Sequence, residues 1–262
     1  MRLFVNAIGL RGPGLEGWAA SAPILAGRTP YQAAATIIPP PALLPANERR
    51  RAPQIVKLAL CVGAEMFANA GLAPAECPAV FSSSGADGET IHNILATLAG
   101  PVPELSPTRF HNSVHNVPAG YWSIATGAKT SATSLCAHDG SFAAGLLEAG
   151  AQALAAGGAV ALIVYDLPYP APLDAVRPIG APFAVALLLS PVPAPQSLAR
   201  IEIELSPPPP SACALPALET LRQSIPAARA LPLFEALAKT IEASLTLEYL
   251  DDLALAMRVT PL

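Results

Sequence analysis

Apolar and polar positions along the chain switch between the period of a strand and the period of a helix, and the switches predict most of the elements. Arg2–Ile8 reads as a first strand, followed by a Gly/Pro-punctuated loop and a helical stretch over Trp18–Ala26. After Pro39–Pro41 and Pro45, the residues Ile55, Leu58, Ala59, Val62 and Met66 recur at helical spacing. Asn47 is the expected cap of that helix and Gly71 its stop. "CPAVFSSSGADGET" predicts a short strand running into a Ser/Gly loop, and "TIHNILATLAG" a helix ending near Gly100. "SPTRFHNSVHNVPAGYWSIATG" reads as a polar turn and a helix closed by Gly127. "KTSATSL" is strand-like, Asp139–Ala156 is an Ala/Gly/Leu-rich helix, and "GGAVALIVYD" is a buried strand.

Beyond Asp166 the pattern changes. "FAVALLLSP" and "ARIEIELS" read as two strands, forming a hairpin or lying as neighbours across the PVPAPQ link. Pro207–Pro210 form a polyproline connector or loop. "ALETLRQSI" and "ALPLFEALAKTIEA" are amphipathic helices, and "SLTLEYLDD" with "LALAMRVTP" forms a hairpin turning at Asp251 and Asp252. No internal repeat is present. The alternation of strands and helices to about residue 165 predicts an α/β layered sheet with helices on both faces, and the remainder reads as antiparallel.

Composition narrows the function classes. The 262 residues are 52% apolar and 13% charged, with a formal net charge of −4. The chain carries no basic stripe, which argues against nucleic acid and against an anionic membrane surface as partners. Mean hydropathy is +0.45, yet the longest uncharged stretches, Ala149–Tyr165 and Pro178–Ala199, contain Gln, paired Gly or several Pro. Neither offers the ~20 consecutive apolar residues of a spanning helix. "MRLFVNAIGLRGPGLEGW" reads as strand and loop rather than signal peptide, so a cytoplasmic location is expected. Cys61, Cys77, Cys136 and Cys213 lie far apart without a CxxC pair, which predicts free thiols rather than disulfides or a zinc site. Depletion of charge in a chain this apolar further suggests a surface covered by a partner.

Few residues offer chemistry. Cys136 lies where a strand gives way to a turn and a helix, and a helix N-terminus there would favour the thiolate. His138 emerges from the same turn. The competing reading of Cys136 is a small buried apolar residue at a tight junction. His111 and His115 stand at i, i+4, a spacing that would share one helix face, but without an HExxH glutamate or a third ligand no metal is expected. The Ser/Gly loop lacks the lysine of a phosphate loop, so ordinary turn bonds at Ser84 and Asp87 are expected. "ERRR" (Glu48–Arg51) suits an acidic carrier or a phosphate, and equally a solvated face.

Taken in order, these landmarks resemble the N-terminal half of a β-ketoacyl synthase, a thiolase-superfamily fold. "ERRRAPQIVKLALCVGAEMFANAGL" resembles that family's Arg-containing helix, and "AVFSSSGADGE" its strand and Gly-rich loop. "SPTRFHNSVHNVPAGYWSIATG" takes the place of the helix near the dimer interface. "TSATSLCAHDGSFAAGLLEAGAQALAAGGAVALIVYD" resembles the nucleophile strand, elbow, helix and following strand, and "RPIGAPFAVALLLSP" the segment returning to the sheet. Within that family, "FHNSVHNVPAGYWSIATG" and "SFAAGLLEA" resemble small chain-length-factor-type proteins of aryl polyene pathways.

The resemblance implies a ketosynthase-like N-terminal domain over residues 1–195 and a shortened αβ portion over 196–262 packed on the same core. Cys136 falls on the nucleophile position. The two later histidines that family ketosynthases use have no counterpart, because no histidine follows His138. The implied function is a catalytically incomplete subunit, without cofactor or metal, that forms a heterodimer with a full-length β-ketoacyl synthase and shapes its acyl tunnel. An acyl carrier protein is the implied second partner. His111, Asn112, His115, Asn116, Tyr121 and Trp122 are the interface and tunnel candidates, and Cys136 with His138 the catalytic ones. The alternative is a Cys136-dependent acyltransferase or thioesterase.

Overall fold

The computed structural model describes residues 1–262 except Ala86 and Pro208, which belong to the Ser/Gly loop and the polyproline stretch. In chain order the elements are β1 (Arg2–Gly12), β2 (Leu15–Glu16), α1 (Trp18–Leu25), α2 (Ala46–Arg51), α3 (Gln54–Ala70), β3 (Ala79–Ser83), α4 (Gly88–Leu98), α5 (Pro107–His111) and α6 (Val117–Thr126). They continue as β4 (Ala132–Cys136), α7 (Ser141–Ala156), β5 (Val160–Asp166), β6 (Phe183–Ser190), β7 (Ala199–Ser206), α8 (Pro216–Ser224), α9 (Leu231–Lys239), β8 (Ala243–Leu250) and β9 (Leu253–Pro261).

All strands belong to one mixed sheet of order β4-β3-β5-β6-β1-β7-β9-β8, with β2 beside β1. Strands β4, β3 and β5 run parallel, and every other pairing is antiparallel. The period of two in each strand divides the core between the faces. In β5, Val160, Leu162 and Val164 join one cluster, and Ala161, Ile163 and Tyr165 the other. β1 keeps its apolar face through a bulge: Leu3 and Val5 lie on the same side as Ile8 and Leu10 because the register shifts between Val5 and Ala7. Asn6, at the bulge, donates from Nδ2 to Ser190 Oγ at 2.9 Å and accepts from Ser197 Oγ at 2.6 Å.

Helices α3 and α6 cover one face. Gly9 lets α3 lie against β1, since a Cβ there would stand 2.1 Å from the Val62 carbonyl oxygen. Gly71, at φ 64°, ends α3 in the left-handed conformation that glycine adopts without cost. On the other face α7 packs against β3, β5 and β6 and also against β8. In the strand order β3 and β8 are six steps apart, about 29 Å on a flat sheet at about 4.8 Å per strand. The sheet therefore curls around α7, and β7, β9 and β8 enclose it from the far side.

Four expectations from the sequence are corrected. Strands β6 and β7 neither form a hairpin nor neighbour each other, because β1 lies between them and pairs with both. Asn47 caps nothing: it sits inside α2, where its Oδ1 accepts from Arg50. The single helix expected there is two, because the residue before a proline avoids the helical region, and Ala52, preceding Pro53, is extended at ψ 124°. His111 and His115 do not share a helix face, since α5 ends at His111 and His115 lies in the turn before α6.

The two sheet edges differ. Ser211 on the Pro-rich connector donates to the Thr246 carbonyl at 2.8 Å, and Thr246 N–H donates to Ser211 Oγ at 2.9 Å, so β8 is covered there. Among the described residues nothing pairs with the outer side of β4.

Candidate functional site

The C-terminal ends of β3, β4 and β5 bring together the polar groups of the site. Cys136 is the last residue of β4, in register with Ser83 at the end of β3. Its Sγ lies 3.8 Å from Ser83 Oγ and 3.6 and 3.7 Å from Nδ1 and Nε2 of His115. A sulfur equidistant from both ring nitrogens faces the carbon between them or the ring face, so neither nitrogen is aimed at it. The thiol is not at a helix N-terminus either: α7 begins only at Ser141, after a 3-10 turn over His138–Gly140. Partial burial is the main influence on the thiol and raises its pKa, with Asp166 adding to the rise and the Ser83 bond opposing it. The depressed pKa of a helix-terminal cysteine is absent.

His138 does not partner Cys136. Its backbone is left-handed at φ 49°, its side chain is 71% exposed, and its Nδ1 lies 3.7 Å from Asp139 Oδ1. Behind the turn, Ser141 Oγ accepts from Ala137 N–H at 3.0 Å and faces the carbonyls of Ser83 and His138 at 2.9 and 2.7 Å.

Asp166, at the end of β5, is a functional-region residue the sequence reading missed. Its Oδ1 accepts from Ser84 N–H at 2.8 Å and Ser84 Oγ at 2.7 Å, and its Oδ2 accepts from Ala227 N–H at 2.8 Å. Burial pushes its carboxyl up to about 6 against those bonds. The signal was available: an acidic residue closing an otherwise apolar strand has to find donors. Beside it the Tyr165 hydroxyl is buried without a partner, and burial raises its pKa.

Two residues that contact Cys136, Ser83 and His115, also line a small cavity. The cavity lined by Ser83, Asn112, His115, Val117 and Tyr165 holds about 10 Å³, room for about one water and none for an acyl chain. The Ser/Gly loop is filled by the chain itself, since a Cβ on Gly85 would stand 2.0 Å from the Tyr169 hydroxyl and one on Gly88 2.2 Å from its ring. Asp87 does ordinary turn work, accepting from Thr90 N–H and Oγ1 at 3.2 and 2.6 Å. In the Arg run, Arg49 donates to the Leu44 carbonyl at 2.8 Å and Arg51 lies 3.7 Å from Glu48. Among the described residues no three His, Cys, Asp or Glu side chains converge to hold a metal, and no helix is long and apolar enough to cross a membrane.

Two open grooves lie on either side of α6. One groove of about 480 Å³ is lined by Phe110, His111, Val114, Asn116, Tyr121 and Ile124. A second of similar volume, between α6 and β4, is lined by His115, Asn116, Ser123, Ala132 and Ser134. Phe110, Val114 and Ile124, all at least half exposed, stand together along the first groove. His111 borders the first groove with its ring edge-on to Tyr121 at 6.3 Å. Trp122 and Asn112 are not surface residues. Trp122 is 1% exposed and packs against Phe67 and Phe81. Asn112 donates to the Arg51 carbonyl at 3.0 Å and accepts from the Tyr121 hydroxyl at 3.3 Å, tying α2 to α6. Tyr121 contributes only an edge to the groove, being 2% exposed.

Residues 19–235 match the family model described as the β-ketoacyl synthase N-terminal domain. No curated protein sequence matches. The ketosynthase ApeO in complex with its chain length factor ApeC from Xenorhabdus doucetiae contains a chain that aligns over 98% of this chain and 99% of its own. The TM-score is 0.75 and the identity 20%. The ishigamide ketosynthase/chain length factor aligns over 100% of both chains at TM-score 0.75 and 12% identity. A β-ketoacyl synthase from Burkholderia phymatum STM815 aligns over 90% of this chain and 70% of its own, at TM-score 0.61 and 13% identity. At these identities the structural likeness speaks for the fold.

Proposed function

The chain belongs to the β-ketoacyl synthase N-terminal-domain family, and on that premise we propose that it is a chain-length-factor-type subunit. In this reading it is catalytically incomplete, pairs with a full-length β-ketoacyl synthase, and forms one wall of the tunnel that holds the growing acyl chain. The chain would be carried by an acyl carrier protein, as the resemblance implies for aryl polyene pathways. Residues 1–195 supply the ketosynthase-like part, and 196–262 replace a longer C-terminal half on the same core.

The observation that carries the proposal is a thiol without catalytic machinery. Condensation with loss of carbon dioxide needs donors for the charge that develops on the malonyl group, and each missing donor commonly costs ~10²–10³-fold. No histidine follows His138 in the sequence, and His138 itself points to solvent. The small cavity lined by Ser83 and His115 holds about 10 Å³, whereas the large grooves beside α6 open outward, where a partner surface would close them. The free edge of β4 lies along one of those grooves and offers a partner strand a row of unpaired backbone groups. The half-exposed Phe110, Val114 and Ile124 supply the apolar centre that a stable interface requires.

Co-expression with the β-ketoacyl synthase of the same gene neighbourhood tests the pairing. A complex of one chain of each on tandem affinity purification is the expected result, and a chain that purifies without synthase contradicts it. The rival reading, an independent Cys136-dependent acyltransferase or thioesterase, draws on the exposure of the thiol. It requires an acyl adduct on Cys136 when the chain alone meets an acyl thioester, seen by intact mass and lost in Cys136→Ala.

A further inference from the structure

The turn that follows Cys136 is held in a conformation its own residues disfavour. His138 adopts φ 49° without being glycine, a left-handed conformation in which Cβ crowds the backbone of an L-residue. Such a residue persists only where its surroundings over-determine it. Ser141 Oγ holds it locally through Ala137 N–H and the His138 carbonyl, and the next residue, Asp139, ties the turn to distant elements. Its Oδ1 accepts from Arg177 Nη2, and its Oδ2 accepts from Arg229 Nη2 at 3.0 Å. Arg229 in turn donates from Nη1 to Glu248 on β8. Arg222 approaches the other oxygen of Glu248 at 3.5 Å and is fixed by two bonds to Glu219, at 2.8 and 2.7 Å. The guanidinium side chains of Arg222 and Arg229 are only 10% and 13% exposed, so these charges are screened little by solvent.

The backbone is gripped as well. A Cβ on Gly140 would stand 2.1 Å from the Tyr249 carbonyl oxygen, which shows how closely β8 lies against the turn. Every anchor outside the turn lies C-terminal to it: Arg177 on the connection between β5 and β6, Arg222 on α8, Arg229 before α9, and Glu248 and Tyr249 on β8. The terminal portion of the chain is thereby bonded to the residues next to the thiol.

We propose that Asp139 is the positioning residue of Cys136, and that the Arg177–Asp139–Arg229–Glu248 clamp makes the C-terminal segment set the exposure of the thiol. The inference stands whether or not the chain pairs with a synthase. Without the clamp, His138 relaxes from the left-handed region, the end of β4 swings outward, and Sγ leaves Ser83 and His115 for water. The groups facing the thiol are Ser83 from β3, His115 from the turn before α6, Asp166 and Tyr165 from β5, and Tyr169 from the connection that follows β5. Cys136 is already exposed at the surface, and leaving these groups removes the partial burial that still raises the pKa of its sulfur.

The test is the rate of iodoacetamide alkylation at Cys136 in the full chain, followed by peptide mass across a pH series, for the wild type, Asp139→Asn and Glu248→Gln. Thermal unfolding of each variant is measured alongside. Asp139→Asn should label about ten-fold faster at neutral pH because more of the thiol is ionised there, with the profile displaced to lower pH. Glu248→Gln, which loosens only the distal anchor, should shift in the same direction by less. A folded Asp139→Asn with the wild-type rate and profile overturns the proposal. If that variant does not fold, Glu248→Gln decides alone: a shifted profile supports the clamp, and a lower melting temperature with an unchanged profile refutes it.

Discussion

Cys136 Sγ lies 3.6 Å from His115 Nδ1 and 3.7 Å from His115 Nε2, equally far from both nitrogens of the nearest imidazole. A working nucleophile–base pair has one nitrogen aimed at the nucleophile and the other held by an orienting group. Here neither nitrogen points at sulfur, and no orienting partner for His115 exists among the described residues. The relationship is proximity without activation. His115→Ala should therefore not slow the alkylation of Cys136, whereas disrupting an activated pair slows it ~10²-fold or more. The midpoint of the wild-type profile should lie above the ordinary thiol range, as burial dictates.

The grooves beside α6 give contrasting predictions for residues that the sequence places side by side. Replacing the exposed Val114 or Ile124 by Ser should abolish association with a synthase while moving stability by no more than about 0.5 kcal/mol. Trp122→Ala should instead cost about 3–5 kcal/mol, because it empties the space between Phe67 and Phe81. Urea unfolding of the isolated chain, set beside co-purification, separates the two effects.

This contrast marks where the sequence stops being informative. Strands β5, β8 and β9 were legible because period, length and flanking turn residues agree locally, as at Asp251 and Asp252. The pairing of β6 and β7 was not, because β1 enters between them from the far end of the chain. The run His111–Trp122 suggested a surface, yet which of its side chains face outward depends on α3. Trp122 meets Phe67 of α3 and turns inward, while Ile124 does not. At the site, Cys136 was found from its place in the pattern. Its distance from the helix N-terminus was not, because the 3-10 turn at His138–Gly140 has no signature of its own. Asp139 is read as a turn residue until Arg177 and Arg229 are brought to it by the fold.

Asp166 makes stability depend on pH in a definite direction. Its folded pKa is about 6 against an ordinary 3.8, so the folded chain holds the proton more tightly than the unfolded one. That contribution is fully present below the ordinary carboxyl value and is lost as pH rises through about 6. Asp166→Asn should flatten this part of the profile. It should also lower stability by about 1–3 kcal/mol, since an amide cannot accept from both Ser84 and Ala227 and leaves a buried donor unsatisfied. Chemical denaturation of both proteins from about pH 4 to about pH 7.5 checks both effects.

Gly140 supplies an independent probe of the contact between the turn and β8. Its φ of −82° suits any residue, so Gly140→Ala carries no conformational penalty and acts only through the 2.1 Å approach of its Cβ to Tyr249. A loss of about 1–3 kcal/mol in unfolding free energy is expected from such overpacking, with faster amide exchange at Tyr249 than in the wild type.

The central claim is that this chain completes a synthase without performing the condensation. The direct measurement is the condensation activity, and the product length, of the partner synthase assayed alone, with the wild-type chain, and with Cys136→Ala. The account predicts that the chain is required for full activity or for the normal product length, and that Cys136→Ala supports both as well as the wild type does. Loss of condensation with Cys136→Ala in an intact complex, or a synthase indifferent to the chain's presence, would contradict it.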